Sequence, residues 1–169
     1  HMWRYYDNGD DPGATWMFAA YDDSGWDEGA GQFGYGEGDE TTVVNYGSNS
    51  TDKYPASYFR THFSISDVGR IGNIRFLIVA DDGAVIYLNG NEIGRIRMPD
   101  GAVSYQTYAS STVSSSLENE FESVEIAADS FIKGDNVLAV EIHQRSGSSS
   151  DISFDAALTV SEITGDAHL

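Results

Sequence analysis

Residues 80–95 read ADDGAVIYLNGNEIGR. Two adjacent carboxylates, Asp81 and Asp82, lead through Gly83 into an alternating apolar run that ends at Asn89-Gly90. Asn-Gly is a strong short-range hairpin signal, because both residues tolerate positive φ. Residues 84–96 therefore read as a hairpin, and the chain as a β protein. On either side lie IRFLIVA (74–80) and NVLAVEIH (136–143), apolar on both faces for most of their length, as central strands are. Further out, YFRTHFSI (58–65) places Phe59, Phe63 and Ile65 on one face and Tyr58, Arg60 and His62 on the other. ISFDAALTV (152–160) alternates in the same way, with Asp155 off its apolar face. Both read as half-buried antiparallel strands.

Helical periodicity is almost nowhere sustained, and short strands separated by turn residues predict an all-β, two-sheet antiparallel sandwich. Residues 7–57 are rich in Gly and Asp and poor in clean strands, so they read as long N-terminal loops wrapping the sandwich. Residues 110–120 (SSTVSSSLENE) read as a polar loop. The expected organisation is a cloning remnant at 1–2, one domain at 3–161 and a linker stub at 162–169. No internal repeat is visible.

The chain has 169 residues and no cysteine, which excludes a disulfide framework, a thiolate metal site and a cysteine nucleophile. Nine basic residues against 27 acidic ones give a net charge of −18. That field repels nucleic acid and anionic membrane surfaces, so neither is an expected partner. No apolar run approaches the roughly 20 residues needed to cross a bilayer.

Four strings, YFRTHF, DDGAVIYLNG, NVLAVEIHQ and SSDISFD, together resemble a module of large secreted bacterial multidomain proteins. The opening WRYYDNGDDPGATW and the following YDDSGWDEGAGQFGYGEGD fit the same pattern, so the resemblance covers nearly the whole chain. It implies a galactose-binding-like jelly roll. The order of signals is also similar to the N-terminal sugar-binding domain of family 2 glycoside hydrolases, which contacts sugar without doing the chemistry. The resemblance thus implies a secreted, monomeric carbohydrate-binding module. Its partners would be a polysaccharide or oligosaccharide and the neighbouring domains of a parent protein. An adhesion or spacer module that binds no glycan is the alternative, because this fold hosts both roles.

The candidate sites follow. Asp81-Asp82-Gly83 resembles the paired aspartates of calcium-dependent lectin domains, in which adjacent carboxylates hold an ion that holds sugar hydroxyls. Calcium takes six to eight oxygen ligands, which carboxylates supply; the same string is also good turn chemistry. Asp22 and Asp23, in DDSGW (22–26), with Asp155 on the last strand, fit the structural calcium of galactose-binding-like domains, or else a capped turn over Trp26. His143, Gln144 and Arg145 end a central strand beside the serine-rich loop 148–151. His143 and Arg145 there either hydrogen-bond sugar or belong to a structural network with Asp151. His62 is expected to meet Glu141 across a sheet.

Sugar-binding surfaces present rings to pyranose faces. The loop tyrosines Tyr46, Tyr54, Tyr105 and Tyr108 are the candidate platform, whereas Trp3, Trp16, Trp26, Phe33 and Tyr35 read as anchors. Catalysis is not expected. No Gly-x-Ser-x-Gly elbow is present, and GYGEG (34–38) lacks the lysine of a phosphate loop and carries a glutamate that would repel phosphate.

Overall fold

A computed structural model describes residues 1–114 and 117–162. The tail expected at 162–169 therefore lies, beyond its first residue, outside the described residues. Among the described residues eleven strands follow one another: β1 (Met2–Tyr6), β2 (Asp27–Ala30), β3 (Phe33–Tyr35), β4 (Thr42–Val43), β5 (Ala56–Ile65), β6 (Ile71–Asp81), β7 (Gly83–Leu88), β8 (Asn91–Ile96), β9 (Glu122–Val124), β10 (Gly134–His143) and β11 (Ile152–Glu162). They form a six-stranded sheet in the order β2-β1-β5-β10-β7-β8 and a five-stranded sheet in the order β4-β3-β11-β6-β9. All pairings are antiparallel except the short β3–β4 contact. The two sheets make a sandwich of the jelly-roll kind, as the alternation predicts.

The apolar faces meet between the sheets. Phe59 of β5 lies 4.3 Å, centroid to centroid, from Phe154 of β11, and Phe33 of β3 lies 5.1 Å from Phe59. Ile78, Ile86, Leu138, Val140 and Ile142 extend this core and are fully or almost fully buried. The alternation of 58–65 and 152–160 is thus the alternation of core and outer face.

The outer face of the six-stranded sheet departs from expectation. On a half-buried strand, Tyr58 and Arg60 would meet water. Instead the loop over residues 10–26 lies across them, and Trp16, Trp26, Tyr58 and Tyr105 form a second apolar cluster. Arg60 is 0% exposed. Long loops bring their own aromatics, so this sheet is covered on both faces.

At the hairpin tip, Asn89 (φ 53°) and Gly90 (φ 86°) take the positive φ values that the sequence demands. The tip is tied to the start of β10. Asn89 Nδ2 donates to Asn136 Oδ1 at 2.9 Å, and Val137 N donates to Asn89 Oδ1 at 3.0 Å. Asn136 is fully buried, accepts from Ile132 N and donates to the Ile132 and Gly134 carbonyls. Asn136→Ala leaves these groups unpaired and is expected to cost about 2 kcal/mol in urea denaturation.

Candidate functional site

The chain passes from one sheet to the other between β6 and β7, and again between β10 and β11. Register places the two crossings side by side, since His143 faces Gly83 and Ser153 faces Asp81. The paired aspartates of the opening motif stand at this junction. The Asp81–Asp82 peptide bond is cis, as is Gly31–Gln32.

Asp82 fastens the second crossing to the first: its Oδ2 accepts from Arg145 N at 2.7 Å and from Ser149 Oγ at 3.4 Å. Arg97 holds the backbone behind it. Its Nε donates to the Asp82 carbonyl at 2.6 Å, its Nη2 to the Ala80 carbonyl, and its Nη1 pairs with Glu122 at 2.7 Å. Lys53 clamps the serine-rich loop, donating from Nζ to the Ser149 carbonyl while sitting 5.7 Å from the Tyr35 and Tyr46 ring centroids.

Asp81 has no such support. It is 4% exposed, and the side chain that meets its carboxyl is the like-charged Asp82, not a cation. Burial, then the charge of Asp82 beside it, pushes its carboxyl up to about 8. Directly paired residues of adjacent strands share a face, so Ser153 projects to the same side as Asp81. Its buried hydroxyl finds no partner among the described residues.

A pocket of about 380 Å³ opens over this carboxylate pair, lined also by Thr112, Val113, Glu118 and Ser148–Asp151. Glu118, Asp151 and Glu37 bring carboxylate oxygens within 4.8 Å of one another. Asn119 links the same loops, accepting from Gln32 at 2.7 Å and donating to Glu37 at 3.1 Å. The donors are all oxygen and the charges all negative, which is the chemistry of a hard divalent cation. A buried carboxylate without a cation stays protonated or costs stability. The residues whose oxygens come close enough to share such a cation are Glu37, Glu118 and Asp151, and Asp81 and Asp82 line the same pocket as Glu118 and Asp151.

The other expected metal residues do not assemble. Asp23 is engaged by basic side chains on the outer face of the six-stranded sheet: Arg60 at 2.6 Å, His62 at 2.8 Å and Arg4 at 3.2 Å. Asp22 accepts from Ser24 N in a turn. Asp155 lies off the core face of β11 in the opposite sheet, where its Oδ1 accepts from Ala156 N. Asp22, Asp23 and Asp155 do not form one ligand set. Arg60 is the reason: its buried charge claims the carboxylate.

His62 thus pairs with Asp23, not with Glu141. Glu141 accepts from Tyr87 Oη at 2.7 Å and lies 3.2 Å from His143 Nε2. His143 is 0% exposed, and its Nδ1 contacts the Thr107 carbonyl at 2.7 Å, so it is part of the packing and not available to a ligand. Asp151 accepts from Ser150 Oγ, and no bond joins it to His143 or Arg145 among the described residues. The Arg145 side chain is exposed.

The tyrosines divide. Tyr105 is buried in the outer cluster. Tyr46 packs against Tyr35, with the rings tilted by 55° and their centroids 4.8 Å apart. Tyr54 lies against Gly9, where a Cβ would meet its ring at 2.4 Å. Tyr105 is thus a packing residue, while Tyr46 and Tyr54 are half-buried and each leans on a neighbour. Tyr108 is 37% exposed, and its hydroxyl comes close to Gly147, in the loop that carries Arg145. Tyr108, Arg145 and the acidic pocket thus share one end of the sandwich.

Sequence reasoning missed Glu37 and Glu118. Glu37 belongs to GYGEG, where its anion-repelling character is the signal that could have marked a cation site.

No protein-family model matches the chain, and no curated protein does. Solved structures do. A β-glucuronidase from glycoside hydrolase family 2 is similar over 84% of this chain and 13% of its own, at 15% identity and TM-score 0.51. A family 2 glycosyl hydrolase from Bacteroides cellulosilyticus is similar over 94% of this chain and 20% of its own, at 15% identity and TM-score 0.51. The Bifidobacterium dentium β-glucuronidase complexed with coumarin-3-O-glucuronide is similar over 85% and 19%, at 17% identity and TM-score 0.50. The chain spans a fifth or less of these enzymes. What they share with it is the fold.

Proposed function

We propose that this sandwich is a non-catalytic carbohydrate-binding module of a larger polysaccharide-active protein, and that it holds glycan at the Asp81–Asp82 end. The observation that carries the reading is the meeting, at one end, of the exposed Tyr108 ring, the free Arg145 side chain and the buried carboxylate pocket. Support for the accessory role comes from the fold, shared with small portions of family 2 glycosidases.

Asp81 and Asp82 would hold calcium, with Glu118 and Asp151 at the pocket rim. The ion would supply a charge for sugar hydroxyls to coordinate and would neutralise the buried Asp81. Tyr108 would offer an apolar ring face, and Arg145 hydrogen-bond donors. The module would raise the effective concentration of a tethered enzyme at its polymer.

The burial of Tyr105 and the packing of the half-buried Tyr46 and Tyr54 favour a second reading, a spacer or adhesion module without glycan affinity. Affinity electrophoresis through gels carrying plant and marine polysaccharides separates the two. The binding reading expects retardation in at least one gel. Tyr108→Ala and Arg145→Ala should each weaken it about tenfold at unchanged melting temperature, as the loss of a ring–sugar contact or a charge-assisted hydrogen bond of about 1.4 kcal/mol would. Retardation by none of the gels would leave the spacer reading, and variants retarded as wild type is would remove Tyr108 and Arg145 from the binding surface.

A further inference from the structure

Strand β11 is unevenly covered. On one side it pairs with β6 along nearly its whole length, but on the other β3 reaches only Ile152–Phe154. From Asp155 to Val160 no strand lies along that second side among the described residues. The Ala156 N–H shows which groups face outward: it donates to Asp155 Oδ1 at 2.8 Å. Backbone direction alternates along a strand, so Leu158 and Val160 turn their N–H and C=O groups to the same free edge. Edges are normally blunted by charge, proline or a bulge. Residues 156–160 read Ala-Ala-Leu-Thr-Val and carry none of these side chains.

Beside this edge lies a cleft that opens between the two sheets. Strand β1 stops pairing with β5 at Arg60, as β3 stops at Phe154, and the space between the two uncovered strands is about 510 Å³. Phe63, Ile65, Leu138, Leu158 and Val160 wall it. Trp3 also lines it, is 2% exposed, and has an indole N–H without an acceptor among the described residues. An added strand would bury alternate side chains in this cleft and could bring a carbonyl to the indole.

Charge selects the occupant. Asp155 stands at the cleft and Asp67 at the adjoining hollow by Val160; no lysine or arginine lines either, and the one basic residue lining the cleft among the described residues is the N-terminal His1. A second copy of a chain of charge −18 would be repelled. We propose that the β11 edge from Asp155 to Val160 binds an extended peptide segment of alternating apolar and basic side chains, as an added strand of the five-stranded sheet. This surface is separate from the glycan end and stands or falls independently of it.

The test uses a capped synthetic peptide of alternating lysine and valine, with one analogue N-methylated at the valines and another at the lysines. An added strand pairs through one edge only, and residues of one kind share that edge. The parent peptide should bind and slow amide exchange at Leu158 and Val160. One analogue should lose at least tenfold in affinity while the other keeps it. Asp155→Asn should weaken the parent about threefold, as an exposed ion pair would. Equal binding of all three peptides would mean charge alone holds them and would overturn the proposal. So would absence of binding, or protection confined to other strands.

Discussion

Replacing Asp23 by alanine is expected to destabilise the domain by about 3–5 kcal/mol, the cost of leaving a buried charge without its partner. The stranded group is the Arg60 guanidinium. Its Nε donates to Asp23 Oδ2 at 2.6 Å, its Nη1 to the Trp16 and Phe18 carbonyls, and its carbon lies 5.2 Å from the Tyr21 ring centroid. Arg60 therefore ties β5 to the N-terminal loop, and Asp23 neutralises it. Arg4→Ala is the control, since that side chain is partly exposed and its pairing is worth at most about 1 kcal/mol. Urea denaturation should separate the two variants clearly, and equal effects would remove Asp23 from its central place. Burial works to raise the Asp23 carboxyl, but bonds from His62 and Arg60, with their charges, hold it below 3.8. A depressed carboxyl stabilises the fold above its ordinary pKa and loses that contribution as pH falls through the lowered value. The acid-induced loss should be smaller in Asp23→Ala.

The second large effect is calcium. At a hundredfold excess over its dissociation constant, a ligand of the folded state adds about 2.7 kcal/mol. Calcium is expected to raise the melting temperature accordingly, and Asp81→Asn to abolish the rise. The metal-free domain should also have a characteristic pH dependence. Burial beside Asp82 raises the Asp81 carboxyl to about 8 from 3.8, so between those values the folded state keeps a proton that the unfolded state has lost. Stability contributed by Asp81 therefore falls as pH rises through that window. Melts at pH 5 and pH 8 should show this decline in chelator, its reversal by calcium, and its absence in Asp81→Asn. A decline of equal size in wild type and Asp81→Asn would assign it elsewhere.

Much of the sandwich is legible in local pattern. Asn89-Gly90 announces the hairpin, and Phe59, Phe63, Phe154 and Leu158 announce the faces that meet between the sheets. What pattern does not carry is the covering of a polar face by a distant loop. Arg60 and Tyr58 look like surface residues of a half-buried strand until Trp16 and Trp26 are laid over them. For the same reason Asp23, read as a calcium ligand, is the counterion of an arginine 37 positions away. The candidate site divides along the same line. Asp81 and Asp82 are adjacent and visible as a pair, and the loop crossing at Arg145 follows from the strand order. Glu37, Glu118 and Asp151 lie in separate loops, and only the tertiary path brings their oxygens together.

The most direct test of the glycan-binding account repeats the polysaccharide gels with calcium and then with excess chelator, below the melting temperature of the metal-free domain. The account predicts retardation in calcium, its loss in chelator, and none in either condition for Asp81→Asn. Retardation that survives chelation and the Asp81→Asn substitution would contradict it, because the glycan would then be held somewhere other than the paired aspartates.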